Sequence, residues 1–246
     1  MADAKGNRES VGLTVVGNPV PLSKGTLYLV ATPIGNLEDI TLRALRTLRE
    51  VDIILCEDTR HTGRLLKSYD VRKPLLSYHR FNERGRQNRV IEYLHDGSTV
   101  ALVSDAGTPG ISDPGVRLTR TVWEAGYRVE VVPGPCAAVA ALASSGLSTE
   151  EFHFVGFLPV KQGQRRKTLE RLSLLPGTVV LYESPYRILK LIEELNRLFA
   201  ERKLVVCREL TKRFEEVIRG TVAEVRGKLM KRKPKGEFVV MIGRAG

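Results

Sequence analysis

The stretch VALVSDAGTPGISDPG, residues 100–115, indicates both the fold of the chain and the kind of ligand site that it builds. It opens with four apolar residues followed by turn formers, a pattern typical of a short buried strand. Its three glycines and two prolines then exclude a regular helix until about Val116. The strand is therefore predicted to open at its carboxyl end into a long exposed loop.

This loop carries carboxylates where a phosphate-binding loop would carry bare amides and a lysine. Neither G-x-x-x-x-G-K-[ST] nor G-x-G-x-x-G occurs in it. Asp105 and Asp113 would repel a phosphate, whereas carboxylates and outward carbonyls suit a polar, hydroxylated or cationic ligand. A purely structural turn is the alternative, because Asp, Ser, Gly and Pro are the ordinary turn formers.

Composition and cysteine usage narrow the class of protein. A chain of 246 residues with 42% hydrophobic residues can form one large domain or two ordinary ones. No apolar run reaches the length of a bilayer span, and the start MADAKGNRES lacks a signal-peptide pattern, so a cytoplasmic location is expected. The three cysteines, Cys56, Cys136 and Cys207, are far apart, which favours neither a disulfide framework nor a zinc site.

The net charge of +11 is unevenly distributed along the chain. Residues 1–160 contain 18 basic and 18 acidic residues, whereas residues 161–246 contain 21 basic and 10 acidic ones. Charge concentrated on one part of a chain is typical of a surface that binds a polyanion such as nucleic acid. A solvated face that only aids solubility is the alternative.

Strands and helices are predicted to alternate over residues 25–134, after a flexible leader of residues 1–24. This alternation implies a parallel α/β sheet, whose ligands lie beyond the carboxyl ends of the strands. Residues 33–39, 57–62 and 105–113 fall there. The apolar runs are at 27–31, 52–56, 74–77, 99–103 and 128–132, and the helical segments are near 40–50, 59–69, 82–95 and 115–125.

Residues 135–246 are predicted to form a second, mixed α/β domain with at least one antiparallel pairing. After a small-residue helix near 135–145, the runs FHFVGF, TVVLYES and LVVCREL indicate strands. An amphipathic helix is predicted over 185–199, with Ser184 as its cap. FEEVIRG, a helix near 221–231 and GEFVVMIG complete the domain.

Eight motifs follow one another in an order that resembles a known family. They are LYLVATPIGNLEDIT, CEDTRHT, SYHRFNE, LVSDAGTPGISDPG, VVPGPCAAVAAL, FVGFLP, YESPYRI and CRELTKRFEE. From about Gly25 to Gly243 the chain resembles the ribosomal RNA small subunit methyltransferase I family, a branch of the tetrapyrrole methylase superfamily. Unlike the longer members, it stops soon after its last predicted strand.

The resemblance implies two α/β domains with S-adenosylmethionine (SAM) in the cleft between them, usually in a homodimer. It implies methylation of the ribose 2′-hydroxyl of a cytidine in the decoding region of 16S rRNA, within the small ribosomal subunit. SAM carries a sulfonium and an ammonium but no phosphate, which would explain a carboxylate loop. The implied cofactor contacts are Pro33, Gly35, Ser104, Asp105, Ala106, Thr108, Ile111, Ser112, Asp113, Gly134, Cys136, Ala137, Leu158 and Glu183.

Candidate catalytic residues follow the second strand in the motif EDTRHT. A ribose hydroxyl is a weak nucleophile, so a nearby base would assist transfer, and no metal is needed. Asp58 or His61 is the candidate proton acceptor, and Arg60 is the candidate for orienting an RNA phosphate. The alternatives are that Asp58 caps the helix from Thr59 and that His61 is a surface residue, with His79 and Glu83 as other candidates.

Basic residues at two places are candidates for RNA contact. Segment 57–89 holds nine lysines and arginines against four acidic residues. The candidates for RNA contact in it are His79, Arg80 and Arg84. Arg208, Lys212 and Arg213 flank a predicted strand turn, and a terminal cluster contains Lys228, Lys231, Arg232, Lys233 and Lys235. Aromatic residues that would stack on an extruded base are Tyr78, Phe81 and Tyr186.

Two other functions are compatible with the sequence. A small-molecule methylase acting on a tetrapyrrole would use the same cofactor loop with a different acceptor pocket. A carboxylated tetrapyrrole, however, does not explain an excess of 11 positive charges in residues 161–246. A ribosome-binding factor that has kept the fold without catalysis is the third hypothesis.

Overall fold

The computed structural model describes residues 20–231 and 233–244. The first domain alternates five strands with four helices. They are β1 (Thr26–Val30), α1 (Leu42–Glu50), β2 (Ile53–Cys56), α2 (Thr59–Ser68), β3 (Leu75–Ser77), α3 (Glu83–His95), β4 (Val100–Leu102), α4 (Val116–Glu124) and β5 (Arg128–Val132). All strands pair in parallel in the order β3-β2-β4-β1-β5, as the alternation predicts.

Helices cover both faces of this sheet, and strands β1 to β4 are accordingly nearly continuous apolar runs rather than alternating ones. Tyr28 and Ile54 point to the face covered by α1 and α2, while Leu27 and Leu55 point to the face covered by α3 and α4. Because every strand is parallel, all five carboxyl ends meet at one edge, where a ligand site is expected.

The second domain is a mixed five-stranded sheet in the order β6-β7-β10-β8-β9. Only β6 and β7 are parallel, and β10 runs antiparallel between β7 and β8. Helices α6 to α8 cover one face, and α5 covers the other. The elements are α5 (Ala137–Ser145), β6 (Phe152–Phe157), α6 (Gln162–Ser173), β7 (Thr178–Glu183), α7 (Ile188–Leu198), β8 (Lys203–Arg208), β9 (Glu216–Thr221), α8 (Val222–Leu229) and β10 (Phe238–Ile242).

The start of α7 differs from the sequence prediction. The helix begins at Ile188, and its N-cap is Arg187, not Ser184. The Ser184 carbonyl accepts the N–H groups of Arg187 and Ile188, and the Ser184 N–H donates to the Glu183 carboxylate at 2.8 Å. The polar groups of residue 184 are therefore used in a turn before the helix.

Part of the predicted leader packs against the first domain. Residues 1–19 lie outside the described residues, but Leu22 contacts the core on the α1 side, and the Ser23 N–H donates to the Tyr28 hydroxyl at 2.8 Å. Arg232 of the terminal basic cluster also lies outside them. Among the described residues, no helix combines the length and apolar character that a bilayer crossing requires.

Candidate functional site

The loops that follow β1, β4 and β5 are hydrogen-bonded to one another at the carboxyl edge of the first sheet. Thr32 and Gly107 exchange backbone hydrogen bonds of 2.9 and 3.0 Å, and the Thr32 hydroxyl donates to the Ser104 carbonyl at 3.2 Å. The Thr108 hydroxyl donates to the Pro135 carbonyl at 3.1 Å. The long loop after β4 is therefore held between its two neighbours rather than left free.

A cleft of about 200 Å³ lies between this edge and the second domain. From the second domain, the ends of β6, β7 and β8 and the beginning of β10 form the opposite wall. Nine of the fourteen residues proposed as cofactor contacts line it: Asp105, Ala106, Thr108, Ile111, Ser112, Asp113, Cys136, Ala137 and Glu183.

Three of the other proposed contacts lie behind the walls of the cleft. Ser104 is buried, and its hydroxyl donates to two carbonyls of its own loop at 3.3 Å. A Cβ placed on Gly134 would lie 3.0 Å from the Ala31 Cβ, so this glycine permits close packing inside the first domain. Leu158 is buried in the core of the second domain. These three residues therefore support the walls of the cleft from behind and do not line it.

Pro33 and Gly35 flank Ile34, which does line the cleft. Their loop contacts the second domain directly. A Cβ on Gly35 would lie 2.5 Å from the Lys212 Cγ and 2.9 Å from the Leu210 carbonyl oxygen. Only a glycine permits this approach, so Gly35 brings the β1 loop against the turn of residues 209–212 that follows β8.

A second contact between the domains involves Ser112, at the far side of the same cleft. Its backbone is left-handed, with φ of 66°. A Cβ on Gly156 would lie 2.4 Å from the Ser112 hydroxyl oxygen, and Gly156 itself has a φ of 70° at a β6 bulge. Ser112, a non-glycine residue with a left-handed backbone, therefore meets Gly156 of the second domain at this wall, and such residues are often found at functional sites.

Three carboxylates gather at the carboxyl ends of β2 and β4. Burial, and then the charges of Asp113 and Asp105, raise the pKa of Glu57 to about 7. Burial, with a smaller contribution from the charge of Asp105, raises the pKa of Asp113 to about 6. Among the described residues, neither Asp105 nor Asp113 is in an ion pair. This wall is therefore electronegative near neutral pH and has no side-chain cation of its own.

The candidate catalytic residues lie on the first turn of α2, outside the cleft lining. The Asp58 side chain accepts the N–H groups of Arg60 and His61 at 2.8 and 3.2 Å, which makes it the N-cap of α2 and lowers its pKa. The Asp58 N–H in turn donates to Asp105 at 3.4 Å. Arg60 and His61 are exposed. The capping alternative for Asp58 is thus present in the structure.

Glu183 lines the cleft but its carboxylate is already engaged. It receives the Arg187 guanidinium at 2.7 and 3.1 Å, and Arg187 also donates to the Leu158 carbonyl at 3.1 Å. The carboxylate is almost completely buried, so this bidentate pair fixes the turn between β7 and α7. Glu183 therefore holds Arg187 and the turn in place at the edge of the cleft.

Two of the basic residues proposed for RNA contact are already neutralised. Lys212 lines the cleft and pairs with Glu209 at 2.9 Å and Glu237 at 2.8 Å. Arg208 lies 3.4 Å from Glu216. Only Arg213 of this trio is exposed with no acidic partner among the described residues, and it lies over the Phe214 ring.

The other RNA candidates differ in their surroundings. His79 is half-buried, and the Asn82 side chain contacts both its backbone N–H and its ring. Arg80 and Arg84 are exposed. Tyr78 is fully buried in the first domain and cannot stack on a base, a correction to its inclusion among the stacking candidates.

Apart from Glu183, and Lys212 as an RNA candidate, sequence reasoning did not select the residues that form the second-domain wall of the cleft. Its lining includes Phe157, Tyr182, Leu210, Glu237 and Phe238. The amino end of β10 lies beside the carboxyl ends of β7 and β8 because β10 is antiparallel to both: Phe238 pairs with Glu183 and Arg208. The nearest signal in the sequence was Tyr182, next to a residue that was selected.

Comparison with curated proteins places the chain among rRNA methyltransferases by name. The family model of the tetrapyrrole (corrin/porphyrin) methylases matches residues 26–226. A Halalkalibacterium halodurans protein named ribosomal RNA small subunit methyltransferase I is 48% identical over 89% of this chain and 76% of its own length. The protein of that name from Thermotoga maritima is 45% identical over 89% of this chain and 98% of its own length.

Solved structures share the architecture. Uroporphyrin-III-C-methyltransferase from Thermus thermophilus aligns over 89% of this chain and 94% of its own, with a TM-score of 0.63 and 25% identity. Diphthine synthase aligns over 89% and 90%, with a TM-score of 0.69 at 16% identity, a likeness of fold alone. Together with the family model and the relatives, these likenesses show that the chain is a tetrapyrrole methylase by fold and belongs to the ribosomal RNA small subunit methyltransferase I family.

Proposed function

We propose that the protein uses SAM to methylate the ribose 2′-hydroxyl of a cytidine in the decoding region of 16S rRNA. One observation carries the proposal. An interdomain cleft lined by carboxylates and apolar side chains occurs in a chain that is 43% to 48% identical to proteins named ribosomal RNA small subunit methyltransferase I.

The residues of the cleft fit SAM in their chemistry. Asp105 and Asp113 present carboxylates that form no ion pair with any described residue and are suited to the sulfonium and ammonium groups. Cys136, Ala137 and Leu210 present apolar surface suited to the adenine side. A phosphate-bearing cofactor would instead meet like charge at this wall. A neighbour in fold, a uroporphyrin-III C-methyltransferase, is described as complexed with S-adenosylhomocysteine.

When bound, SAM would supply the methyl group, and the neutral sulfide formed from its sulfonium would be the leaving group. The contribution of the chain is then to hold the acceptor hydroxyl in line and to take up its proton. His61 is the proposed proton acceptor, since Asp58 is occupied as the cap that orients the α2 turn bearing Arg60 and His61. Arg60 orients a phosphate of the strand. Glu57, with its pKa of about 7, is a further candidate base that the sequence did not single out.

The test is incubation of the protein and labelled SAM with purified small ribosomal subunits, naked 16S rRNA and a carboxylated tetrapyrrole. We expect methylation of the subunit and little of naked rRNA, because the described residues contain no sequence-reading module and RNA is recognised by shape and phosphate. Nucleoside mass spectrometry should find 2′-O-methylcytidine. A base-methylated product would overturn the ribose assignment, and methylation of the tetrapyrrole alone would favour the second function.

The proposal includes a cytoplasmic homodimer. Among the residues that the structure describes, the edge strand β5 has one neighbour in its sheet, and Val131 on it is 58% exposed. An uncovered edge of this kind is suited to burial against another copy. Sedimentation of the purified protein tests this part, and a monomer at micromolar concentration would remove it.

A further inference from the structure

A second cavity, of about 450 Å³ and open to solvent, adjoins the cofactor cleft. The loop after β3 contributes Arg80 to it, and α4 contributes Arg117 and Arg120. The two helix residues are three positions apart and therefore share one face of α4. We call this cavity the arginine pocket.

The three arginines of the arginine pocket are free to bind a ligand. All three are exposed, and none forms an ion pair or a hydrogen bond within the described part of the chain. By contrast, Arg165, Arg187 and Arg208 of the second domain each face a glutamate. The acids that line the arginine pocket are Glu83 and Asp113, and burial raises the pKa of Asp113 to about 6. Three guanidinium groups therefore outweigh the acids.

The arginine pocket and the cofactor cleft share a wall. Ser112 and Asp113 line both cavities. A molecule bound by the arginines therefore lies next to whatever occupies the cleft. The N-cap of α4 is Gly115, which makes no side-chain cap, so the positive end of the helix adds to the potential of the three arginines.

We propose that the arginine pocket binds a phosphodiester group of the RNA strand beside the nucleotide that is methylated. The inference rests on the proposed function and names a substrate subsite for it. Guanidinium groups match phosphate oxygens in paired hydrogen bonds, so several arginines around one cavity suit a phosphate better than a neutral or apolar group. Holding the strand one step from the reactive ribose would fix that ribose against the shared wall.

An exposed aromatic residue next to the arginine pocket favours a nucleotide over another anion. Phe81 follows Arg80 directly, and its side chain is 92% exposed, in edge contact with the His79 ring. A large aromatic ring in solvent beside a phosphate site is a suitable surface for a base to stack on. A tetrapyrrole could pair its carboxylates with the arginines, but it has no base to stack on the Phe81 ring.

The test compares Arg117→Ala/Arg120→Ala with a matched double variant, Arg43→Ala/Arg171→Ala. The control arginines are exposed, lie on α1 and α6, and have no ion pair among the described residues. Subunit affinity, the KM for subunits and SAM affinity are measured for both double variants. Subunit affinity is measured at several salt concentrations. For the pocket variant we expect a subunit KM raised about 10-fold and a salt slope reduced by about 0.7 to 0.9, for the one phosphate that the arginine pocket no longer neutralises. SAM affinity should stay unchanged, which also shows that the variant is folded.

Equal salt slopes and equal KM values for the two double variants would overturn the inference. A fluorescent single-stranded oligoribonucleotide is titrated in parallel to separate it from the proposed function. If the wild type methylates no subunit, the proposed function fails. The oligonucleotide titration then tests by itself whether the arginine pocket binds RNA. Weaker oligonucleotide binding by the pocket variant alone supports it, whereas equal binding by both variants overturns it. Methylation of a tetrapyrrole, with its KM raised by the same substitutions, would also overturn it by assigning the arginines to carboxylates.

Discussion

Asp113 lines both the cofactor cleft and the arginine pocket, so its ionisation changes the charge of both cavities. Its raised pKa of about 6, and that of Glu57 at about 7, mean that the folded protein holds protons that the unfolded chain has already released at the same pH. The stability of the fold therefore falls as pH rises from about 4 to 7, because the unfolded state binds fewer protons in that window. A bound cation offsets this cost, since it favours the ionised carboxylates.

SAM should consequently bind more tightly as pH rises from 5.5 to 7.5. Asp113 lines the cleft, and Glu57 interacts with it electrostatically. Both carboxylates ionise across this range, so the site becomes more negative and attracts the sulfonium more strongly. Calorimetric titrations at several pH values measure the effect, and Asp113→Asn should make the profile flatter. Asp96→Asn, on the exposed end of α3, serves as the control that keeps the wild-type profile. A wild-type affinity independent of pH would contradict this assignment.

The two roles considered for Asp58 are separated by Asp58→Asn. Asparagine caps a helix about as well as aspartate, so the variant should keep its stability and most of its methyl transfer if Asp58 only positions the α2 turn. Asp58→Ala should lower the melting temperature, because alanine cannot accept the N–H groups that Asp58 caps. His61→Ala should lower kcat by roughly 100-fold or more with SAM affinity unchanged.

Thermal unfolding and single-turnover kinetics of the three variants measure these effects. A stable Asp58→Asn protein with no transfer would make Asp58 the proton acceptor instead of His61. A His61→Ala protein with full activity would make Glu57 the candidate proton acceptor. Its titration near pH 7 should then appear in the pH profile of kcat.

At the scale of elements, the cleft is built from loops that approach each other closely. The β1 loop and the 209–212 turn meet at Gly35, and two residues of that turn, Glu209 and Thr211, have left-handed backbones with φ of 52° and 64°. Lys212 holds the turn through its ion pairs to Glu209 and Glu237. The width of the cleft therefore depends on a contact that has no room for a side chain.

Gly35→Ala should weaken SAM binding by about 10-fold or more. Its Cβ would lie 2.5 Å from the Lys212 Cγ and 2.9 Å from a backbone carbonyl, so the turn must move away from the β1 loop. Gly163→Ala is the matched control, because a Cβ there meets no atom within 4 Å and alanine favours the α6 helix. The control should be neutral or slightly stabilising. Equal SAM affinities for the two variants would show that this contact does not set the width of the cleft.

At the scale of the whole molecule, a ligand in the cleft touches both domains. S-adenosylhomocysteine at 100 times its Kd should stabilise the folded protein by about 2.7 kcal/mol, which corresponds to a rise in Tm of roughly 5 to 10 °C for a chain of this size. Differential scanning calorimetry measures the shift. Asp105→Lys should fold and show no shift, because an added cation repels the ammonium of the ligand, while Asp96→Lys should respond like the wild type. A normal shift in Asp105→Lys would remove the β4 loop from the cofactor site.

The distribution of charge also belongs to the whole molecule. Residues 161–246 carry the entire excess, yet several of their arginines and lysines are paired with glutamates in the fold. The unpaired arginines of the arginine pocket lie instead in the electrically balanced part of the chain. A count of charge along the sequence therefore predicts that a polyanion binds, but it does not predict where.

Much of the architecture was predictable from local patterns. The predicted strand at 128–132 has the bounds of β5, and the glycines and prolines after β4 delay α4 to Val116 as expected. The helix predicted from residue 185 begins at Ile188, after a turn in which Arg187 pairs with Glu183, and hydrophobic periodicity does not report that pairing. The residues of the first-domain wall were predictable because parallel strands bring their carboxyl ends to one edge.

The sequence by itself determined the two α/β domains, the carboxylate loop after β4 and the absence of a phosphate cradle in that loop, because periodicity, turn residues and ionisable groups act over a few neighbouring positions. Tertiary structure alone decided which residues face each other across the cleft. The antiparallel insertion of β10 placed Phe238 beside Glu183, and the packing of α3 against α4 gathered Arg80 with Arg117 and Arg120. Contacts of this kind depend on how segments that are distant in sequence pack against each other. The free energy that stabilises this packing comes from the whole core, and no single stretch of sequence contains that core.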